Sequence, residues 1–400
     1  MQYCCGVPPE GEHQDSEATS NQIPVDTGLI EALSSGIGPR PPTSNSEHVA
    51  AEVIASELSG MGLEARVESF CSQRSFGPTY LTLFALALAA GPLARKSRLA
   101  GALCGVAAAS LGVAESSFAS RSPLNFLRRG HSQNVWARIE PAEKSEQTIC
   151  LVSHMDSSRS GLMFHPSVTP HLGKAVQISG VAVAVNALAP VLRLAAPGRW
   201  LVRLSRILIG ASAALVLERE LRGENVAGAN DNASGVAACL NLAAHFSRSP
   251  LRRSRLAVLV TGSEESGVIG MREFLRSHDT SGWLFVNFDG VSADAPLRVL
   301  SREAGPAGSK PDPGLMEAAR KVGERDPELA AEPLLDGSGL PYDATAVMAG
   351  GGKAITIANQ EGAILNYHWP TDTAEHIAPE AFARAVRFAA ALVEELDSVE

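Results

Sequence analysis

The sequence predicts an α/β domain built on a mixed, mainly parallel central sheet with helices on both faces. From about residue 148 onward, short apolar runs of strand length alternate with longer runs at helical spacing. Such alternation is typical of parallel strands joined by helical crossovers. Apolar residues make up 45% of the 400 residues and charged residues 19%, so the chain can bury a large core.

Each predicted element has its own local pattern. In the helix predicted at 46–61, apolar residues recur every three or four positions, whereas Gly-Pro-Arg-Pro-Pro at 38–42 breaks the chain before it. The predicted strands are Thr148–Ser153, Leu256–Thr261, Trp283–Phe288, Leu297–Ser301 and Ala354–Ala358. The predicted helices are 26–35, 46–61, Ser234–Phe246, Val268–Ser277, Gly314–Val322 and Pro379–Leu396.

Two pairs of apolar segments interrupt this pattern, at about 77–117 and 170–220, and each is predicted to be an inserted helical hairpin. The segments are Thr79–Leu93 with Leu99–Val113, and Ala175–Ala196 with Trp200–Leu217. A full membrane span takes about 20 apolar residues. Two interpretations stay open: a buried or partner-facing insertion, and an insertion that is attached to a membrane or spans it.

The turns that connect the two segments of each hairpin, and the N-terminal residues, bear on where the protein lies relative to a membrane. Both connecting turns are basic, so under the positive-inside tendency they would face the cytoplasm, with the rest of the chain on the other side. Residues 1–24 contain four acidic residues and no apolar segment, so no secretory signal peptide is seen. We expect a disordered tail at 1–24, a single domain at 25–396 and membrane association, with the side of the membrane left open.

Charge and cysteine usage exclude other classes of protein. The net charge is −9, and no long basic stripe occurs, which argues against a nucleic-acid partner. The six cysteines form no CxxC pair, so a cysteine zinc site is not expected. They are predicted to be free, buried thiols rather than a disulfide framework. These cysteines are Cys4, Cys5, Cys71, Cys104, Cys150 and Cys239.

Imidazole and carboxylate groups follow two of the predicted strands. His154 and Asp156 come after Thr148–Ser153, and Asp289 comes after Trp283–Phe288, where open α/β sheets place ligands. His154 can bind a metal through one ring nitrogen, and Asp156 could accept the N–H of the other.

Three further segments carry the same groups. Asp231 lies in a segment of small residues, where its carboxylate could bridge two cations or simply cap the next helix. Glu264 and Glu265 are adjacent in a Gly-flanked turn, so one could bind metal while the other stays free as a base. His368 lies in a Pro-marked turn before the last helix. The order His, Asp, Glu-Glu, Asp, His makes two zinc ions plausible.

Together these motifs resemble the di-zinc aminopeptidases of metallopeptidase family 28. The resemblance covers about 26–72 and 134–396, apart from the insertions. The matching segments are Gly-Pro-Arg-Pro at 38–41, His-x-Asp at 154–156, Gly-Ala-x-Asp-Asn-Ala-Ser-Gly at 228–235, Glu-Glu-x-Gly at 264–267, Asp-Gly at 289–290 and Tyr-His-x-Pro-x-Asp-Thr at 367–373.

The resemblance implies a zinc-peptidase-like fold and a ligand set. His154 and Asp289 would bind one zinc, Glu265 and His368 would bind the other, and Asp231 would bridge the two.

The resemblance also implies a reaction, the hydrolysis of peptide bonds. Zinc-bound hydroxide would attack the carbonyl of a peptide substrate, with Glu264 as the general base and Asp156 orienting His154. We therefore expect a metallopeptidase, and more narrowly an aminopeptidase that releases N-terminal residues.

Two departures from the family pattern leave alternatives open. Between Asp156 and Asp231 lie 74 residues, far more than the family usually has, and Pro341–Thr345 replaces the family's frequent Ser-Asp-His. The alternatives are a glutaminyl-cyclase-like transferase with a single zinc, a carboxypeptidase or dipeptidase, and a catalytically inactive membrane-associated scaffold. The complete ligand set speaks against the first and the last of these.

Overall fold

The computed structural model describes residues 23–118, 124, 128–143, 147–192, 198–304, 308–334, 339–362 and 364–398. The tail predicted at 1–24 therefore lies outside the described residues except for its last two. Ile23 is buried in the main core, so the prediction of a tail was wrong for this residue.

Eight strands form one sheet in the described part of the chain. They are β1 (Arg66–Ser72), β2 (Gly130–Ile139), β3 (Thr148–His154), β4 (Arg255–Thr261), β5 (Leu284–Phe288), β6 (Leu297–Leu300), β7 (Glu332–Leu334) and β8 (Lys353–Asn359). Their spatial order is β1-β2-β4-β3-β5-β8-β6-β7. The central strands β4, β3, β5 and β8 are parallel, whereas β2 and β6 pair with them in antiparallel fashion. The predicted mixed, mainly parallel sheet is confirmed.

The described part of the chain contains eleven α-helices. They are α1 (Gly28–Glu31), α2 (Asn45–Gly60), α3 (Gly77–Lys96), α4 (Arg98–Ser116), α5 (Leu172–Leu192), α6 (Arg199–Arg222), α7 (Ser234–Arg248), α8 (Ile269–Ser277), α9 (Pro313–Arg325), α10 (Asp343–Ala349) and α11 (Pro379–Ser398). The predicted helix at 26–35 is instead the short α1 followed by a π-helical turn at Ala32–Ile37.

Alternate residues of the central strands build two separate cores. On β3, Ile149 and Leu151 face the core formed with α2, α7, α9 and α11. Cys150 and Val152 face the smaller core under α8 and α10. Since both faces are covered, the central strands are apolar throughout, which is why the sequence predicts them well.

The two apolar hairpins are helical, as expected, and they pack into one four-helix bundle of α3, α4, α5 and α6. All four helices meet the α/β domain at the same end of the bundle. Glu115 near the end of α4 lies 3.9 Å from Arg272 of α8, and Ser75 before α3 donates a hydrogen bond to Glu220 of α6 at 2.5 Å. The turn that connects α3 to α4, the end of α5 and the start of α6 therefore lie at the far end.

The second hairpin leaves the domain through a narrow neck. Arg159 on the way out forms a β-bridge with Asn225 on the way back. The N–H of Ser160 donates to the carbonyl of Glu224 at 2.8 Å, and that of Val226 donates to Ser158 at 3.0 Å.

The described cysteines are all free, as predicted. Cys150 and Cys239 are buried, but Cys104 is half-buried and Cys71 is exposed on the edge strand β1, so the prediction of burial was wrong for Cys71. Cys4 and Cys5 lie outside the described residues.

Candidate metal centre

The carboxyl ends of three parallel strands meet at one edge of the sheet and bring the predicted residues together. His154 ends β3 and pairs in register with Thr261, the last residue of β4. The chain turns after β4 into Glu264 and Glu265, and after β5 into Asp289. Ligand sites in open α/β sheets lie at this edge.

The first group of ligands is His154, Asp231 and Asp289. The Nε2 atom of His154 lies 3.2 Å from Oδ1 of Asp231 and 3.4 Å from Oδ2 of Asp289. The three side chains are 6% exposed or less. The structure thus brings one imidazole and two carboxylates to one point.

The second group of ligands is His368, Glu265 and Asp231. The Nε2 atom of His368 lies 2.9 Å from Oε1 of Glu265 and 3.2 Å from Oδ2 of Asp231. Asp231 thus directs one carboxylate oxygen to each imidazole. It lies between the two groups, as expected of a bridging ligand.

These residues fit a pair of divalent cations. In each group the donor atoms lie within 4.8 Å of one another, and imidazole with carboxylate is a donor set that zinc accepts. Burial raises the pKa of Asp289 to about 6, and the nearby carboxylates of Asp231 and Glu265 add to this effect. Such crowding of buried acids is unfavourable unless positive charge sits between them.

Glu264 lies beside the ligands without belonging to either group of three. Its carboxylate is within 4.8 Å of donor atoms of His154 and Glu265, and the side chain is 9% exposed. Burial raises the pKa of Glu264 well above its usual value, although the charge of His154 opposes this. A carboxylate with a raised pKa is suited to accept a proton near neutral pH.

Asp156 contacts its neighbours differently from the expected arrangement. The Nδ1 atom of His154 is 3.0 Å from the backbone carbonyl oxygen of Asp156, but 3.6 Å from its carboxylate. That carboxylate instead accepts the backbone N–H groups of Glu264 and Glu265, both at 3.0 Å. Asp156 therefore holds His154 through its main chain and the Glu264–Glu265 turn through its side chain.

The segment that carries Asp231 is fixed from two sides. The carboxylate of Asp372 accepts the N–H groups of Asn230 at 2.7 Å and Asp231 at 3.1 Å. Gly228 has a φ of +63°, and a Cβ there would lie 2.5 Å from the carbonyl oxygen of Asp231. The glycine is thus needed for the close approach of backbone that the sequence suggested.

Arg40 supports the same segment, a role that the sequence did not reveal. Its guanidinium is fully buried and donates to five carbonyl oxygens, at 2.8–3.0 Å. These carbonyls belong to Leu33, Gly38, Met155, Ala227 and Gly228. Burial lowers the pKa of Arg40 to about 10, so the group is still charged at neutral pH.

Replacing Arg40 by Met is expected to lower the free energy of unfolding by about 3–5 kcal/mol, because five buried carbonyls lose a charged donor. Chemical denaturation measures this loss. The exposed Arg66, which pairs with Glu64, is the matched control and should change stability by less than about 1 kcal/mol as Arg66→Met. Equal losses for the two variants would contradict the role of Arg40.

Two more buried acids near the centre were not predicted from the sequence, Asp343 and Glu303. The hydroxyl of Thr261 donates to Asp343 at 2.5 Å. The hydroxyls of Thr345 and Thr356 donate to Glu303, both at 2.6 Å. They lie behind the strand ends, where they connect α10, β4 and β8.

Glu303 is expected to make stability depend on pH. Burial raises its pKa from 4.5 to about 7, so between these values the folded chain keeps a proton that the unfolded chain has lost. The contribution is therefore fully present below pH 4.5 and is lost as pH rises through 7, by about 3 kcal/mol. Glu303→Gln should remove this fall, which urea unfolding at pH 5 and pH 8 would measure. Equal falls in variant and wild type would contradict this assignment.

A cavity of about 380 Å³ lies beside the ligands. Glu265 and Ser158 line it on the side of the domain, and Gln73, Arg219 and Glu220 line it on the side of the bundle. The bases of α3 and α6 thus form one wall of the cavity.

An aromatic side chain covers the second group of ligands. The ring of Phe164 packs edge-on against His368, with ring centroids 4.4 Å apart. The guanidinium of Arg219, at the end of α6, lies 5.8 Å from the centroid of the same ring. Phe164 belongs to the long segment between Asp156 and Asp231, so the insertion shapes the space around the ligands.

Comparisons with known proteins bear on the family and the fold of this chain. The sequence model of peptidase family M28 matches residues 212–393, which contain all the proposed ligands except His154. A comparison with curated protein sequences found no match.

Solved structures of low sequence identity share the fold. A zinc aminopeptidase from Bacillus subtilis has 15% identity and a TM-score of 0.56, covering 94% of this chain and 96% of its own. An aminopeptidase from Aneurinibacillus sp. strain AM-1 has 15% identity and a TM-score of 0.57, covering 94% and 95%. A glutaminyl cyclase from Bacteroides thetaiotaomicron has 12% identity and a TM-score of 0.54, covering 93% and 99%.

Proposed function

We propose that this chain is a zinc-dependent hydrolase of peptidase family M28 and, more narrowly, an aminopeptidase that binds two zinc ions. The observation that carries the proposal is the position of Asp231. Its two carboxylate oxygens approach His154 and His368 separately, and each imidazole has its own second carboxylate. A single-metal site would need only one of these two groups.

The residues of the chain have distinct tasks in the proposed reaction. When bound, zinc supplies Lewis-acid polarisation of the scissile carbonyl and lowers the pKa of water. Glu264 accepts the proton of the attacking water and donates it to the leaving amine, because its carboxylate lies within 4.8 Å of donor atoms of His154 and Glu265 but outside the two groups that share Asp231. Asp156 holds the backbone of Glu264 and Glu265, so the base and one ligand keep a fixed distance.

The shape of the cavity supports cleavage near a chain end. Its volume of about 380 Å³ suits one or two residues, and the base of the bundle bounds it on one side. An extended chain that runs on past this side would collide with the base of the bundle. A free N-terminus is the end that the related aminopeptidases take, and we extend that preference to this chain.

A panel of aminoacyl-nitroanilides tests the proposal, with each substrate also supplied in N-acetylated form. The full chain is purified in detergent, and its metal content is measured by mass spectrometry. We expect close to two zinc ions per chain and cleavage of free-amine substrates only. Cleavage of the acetylated forms would point to another peptidase type. The absence of bound metal from zinc-replete protein would favour the inactive scaffold.

A different product distinguishes the glutaminyl-cyclase-like alternative from a peptidase. A peptide with N-terminal glutamine would lose ammonia and form a ring without any loss of residues. We expect hydrolysis instead, because His154 and Asp289 retain a complete first group of ligands. Ring closure with one zinc per chain would overturn the proposal in favour of the transferase.

A further inference from the structure

The surface of the four-helix bundle is apolar on all sides. In the described part of the chain, 21 large apolar side chains are exposed, and 16 of them belong to α3, α4, α5 and α6. Among the most exposed are Leu99, Leu103, Val113, Val181 and Ile207, each more than 60% accessible. A single partner protein would cover one face of such a bundle, whereas these residues occur on three helices and point away from the shared core.

The interior of the bundle contains small and polar residues beside its apolar core. A Cβ on Gly105 of α4 would lie 2.1 Å from the carbonyl oxygen of Ala187 on α5, so these two helices are in close backbone contact. The buried Asn186 donates to the hydroxyl of Ser205 at 2.6 Å, and Arg206 donates to the amide oxygen of Asn186 at 3.3 Å. Small residues and hydrogen bonds between helices are typical of packing in a bilayer.

The lengths of the helices match the thickness of a bilayer. All four are long and apolar enough to cross a membrane. Residues 77–94, 99–114 and 175–192 carry no charged side chain. At 1.5 Å per residue these stretches span roughly 24–27 Å, close to the hydrocarbon core of about 30 Å.

Most charges of the bundle lie at its two ends, and Arg206, which donates to Asn186, lies between them. Arg95, Lys96 and Arg98 flank the turn between α3 and α4, and Arg199 and Arg203 lie near the start of α6. Long cationic side chains at such positions reach the headgroup region. At the other end, α6 finishes in Glu218, Arg219, Glu220 and Arg222. The apolar zone is thus bounded on both sides, as it is in proteins that cross a membrane.

We propose that α3, α4, α5 and α6 span a lipid bilayer as one bundle, with the metal centre at the membrane surface. Each hairpin crosses twice, so the whole α/β domain stays on one side. On the proposed function, the substrates are peptides whose N-termini are held at the bilayer, because the bases of α3 and α6 form a wall of the cavity.

Cysteine labelling in sealed proteoliposomes tests the span. The parent variant for this experiment keeps the buried Cys150 and Cys239 and has serine in place of the other four cysteines. Single cysteines are then introduced as Val106→Cys and Val181→Cys, which lie well inside the uncharged stretches of α4 and α5, Ser97→Cys in the turn between α3 and α4, and Val67→Cys on β1. Val67 is 53% exposed and lies outside the bundle, so it is the matched control.

The expected result is that Val67→Cys and Ser97→Cys react with a membrane-impermeant maleimide from opposite sides of the vesicle. The two mid-bundle cysteines should react at least about 10-fold more slowly than either, even after the vesicles are opened. Fast labelling of Val106→Cys and Val181→Cys would overturn the proposal. So would a chain that stays soluble without detergent, whether as a monomer or as an oligomer with its bundles buried against each other.

A second measurement tests the position of the site. The same cleavable peptide is offered to the proteoliposomes either free or attached by its C-terminus to a lipid. We expect kcat/KM at least about 10-fold higher for the attached form, and equal values would overturn the placement of the site at the surface. The two proposals can fail separately. Cysteine labelling tests the membrane span even if no peptide is cleaved. If the mid-bundle cysteines react fast but free peptide is still cleaved, the span is refuted and the peptidase function stands.

Discussion

Replacing Glu264 by Gln is expected to lower kcat by about 10³-fold or more while both metals stay bound. The amide keeps the size of the side chain but cannot accept a proton, and general-base catalysis contributes about 10²–10⁴-fold. Glu264 belongs to neither ligand pair around Asp231, so the metal content should not change. Steady-state kinetics on the best nitroanilide gives kcat, and metal analysis of the same preparation gives the number of zinc ions per chain.

The matched control for this variant is Glu224→Gln, the same chemical change at an exposed residue in the neck of the second hairpin. Its kcat should stay within about twofold of wild type. Loss of metal in Glu264→Gln would show that Glu264 is a ligand. Retention of full activity would show that another group accepts the proton.

Replacing Asp231 by Asn is expected to reduce the bound zinc from about two ions to well below one per chain. Asp231 is common to both groups of ligands, so one change removes a negative donor from each. Even outer partners of metal ligands change affinity by 10–100-fold, and a ligand itself should matter more. Equilibrium dialysis against buffered zinc measures both affinities.

Asp289→Asn is the variant to compare with Asp231→Asn, because of the two imidazoles Asp289 contacts only that of His154. It should weaken one of the two sites and leave close to one tightly bound zinc. If Asp231→Asn and Asp289→Asn lose the same amount of metal, the sites are not joined through Asp231. Both variants should fold, since the main apolar core does not include either side chain.

The strands that carry ligands could be predicted from the sequence because their patterns are local. β3, β4 and β5 are mainly apolar runs; β3 ends in His154, and Glu264 and Asp289 follow β4 and β5 within three residues. Parallel strands bring such ends to one edge. The order of the motifs then indicated which residues meet, although no local signal told a bridging Asp231 from a helix cap. The structure places Asp231 between His154 and His368, which are far from it in sequence.

Other elements depend on partners that the sequence does not display. β1 lies at the edge of the sheet and is largely exposed, so its residues alternate weakly and its pairing with β2 was not predicted. The short β7 and α10 give too few residues for a periodic pattern. Arg40 and Glu303 are buried only because distant segments close around them, which composition alone cannot indicate. The same holds for the packing of two separate hairpins into one bundle.

The neck of the second hairpin changes what the 74-residue separation between Asp156 and Asp231 means for folding. Because Ser158 and Ser160 are hydrogen-bonded to Val226 and Glu224, the chain behaves at the metal centre as if it passed directly from one segment to the other. The loop to be closed between the two aspartates is then about a dozen residues long, and its entropy cost is that of a short connection. The hairpin is thus a side branch of the chain, which could vary in length or composition between related proteins while the ligands keep their places.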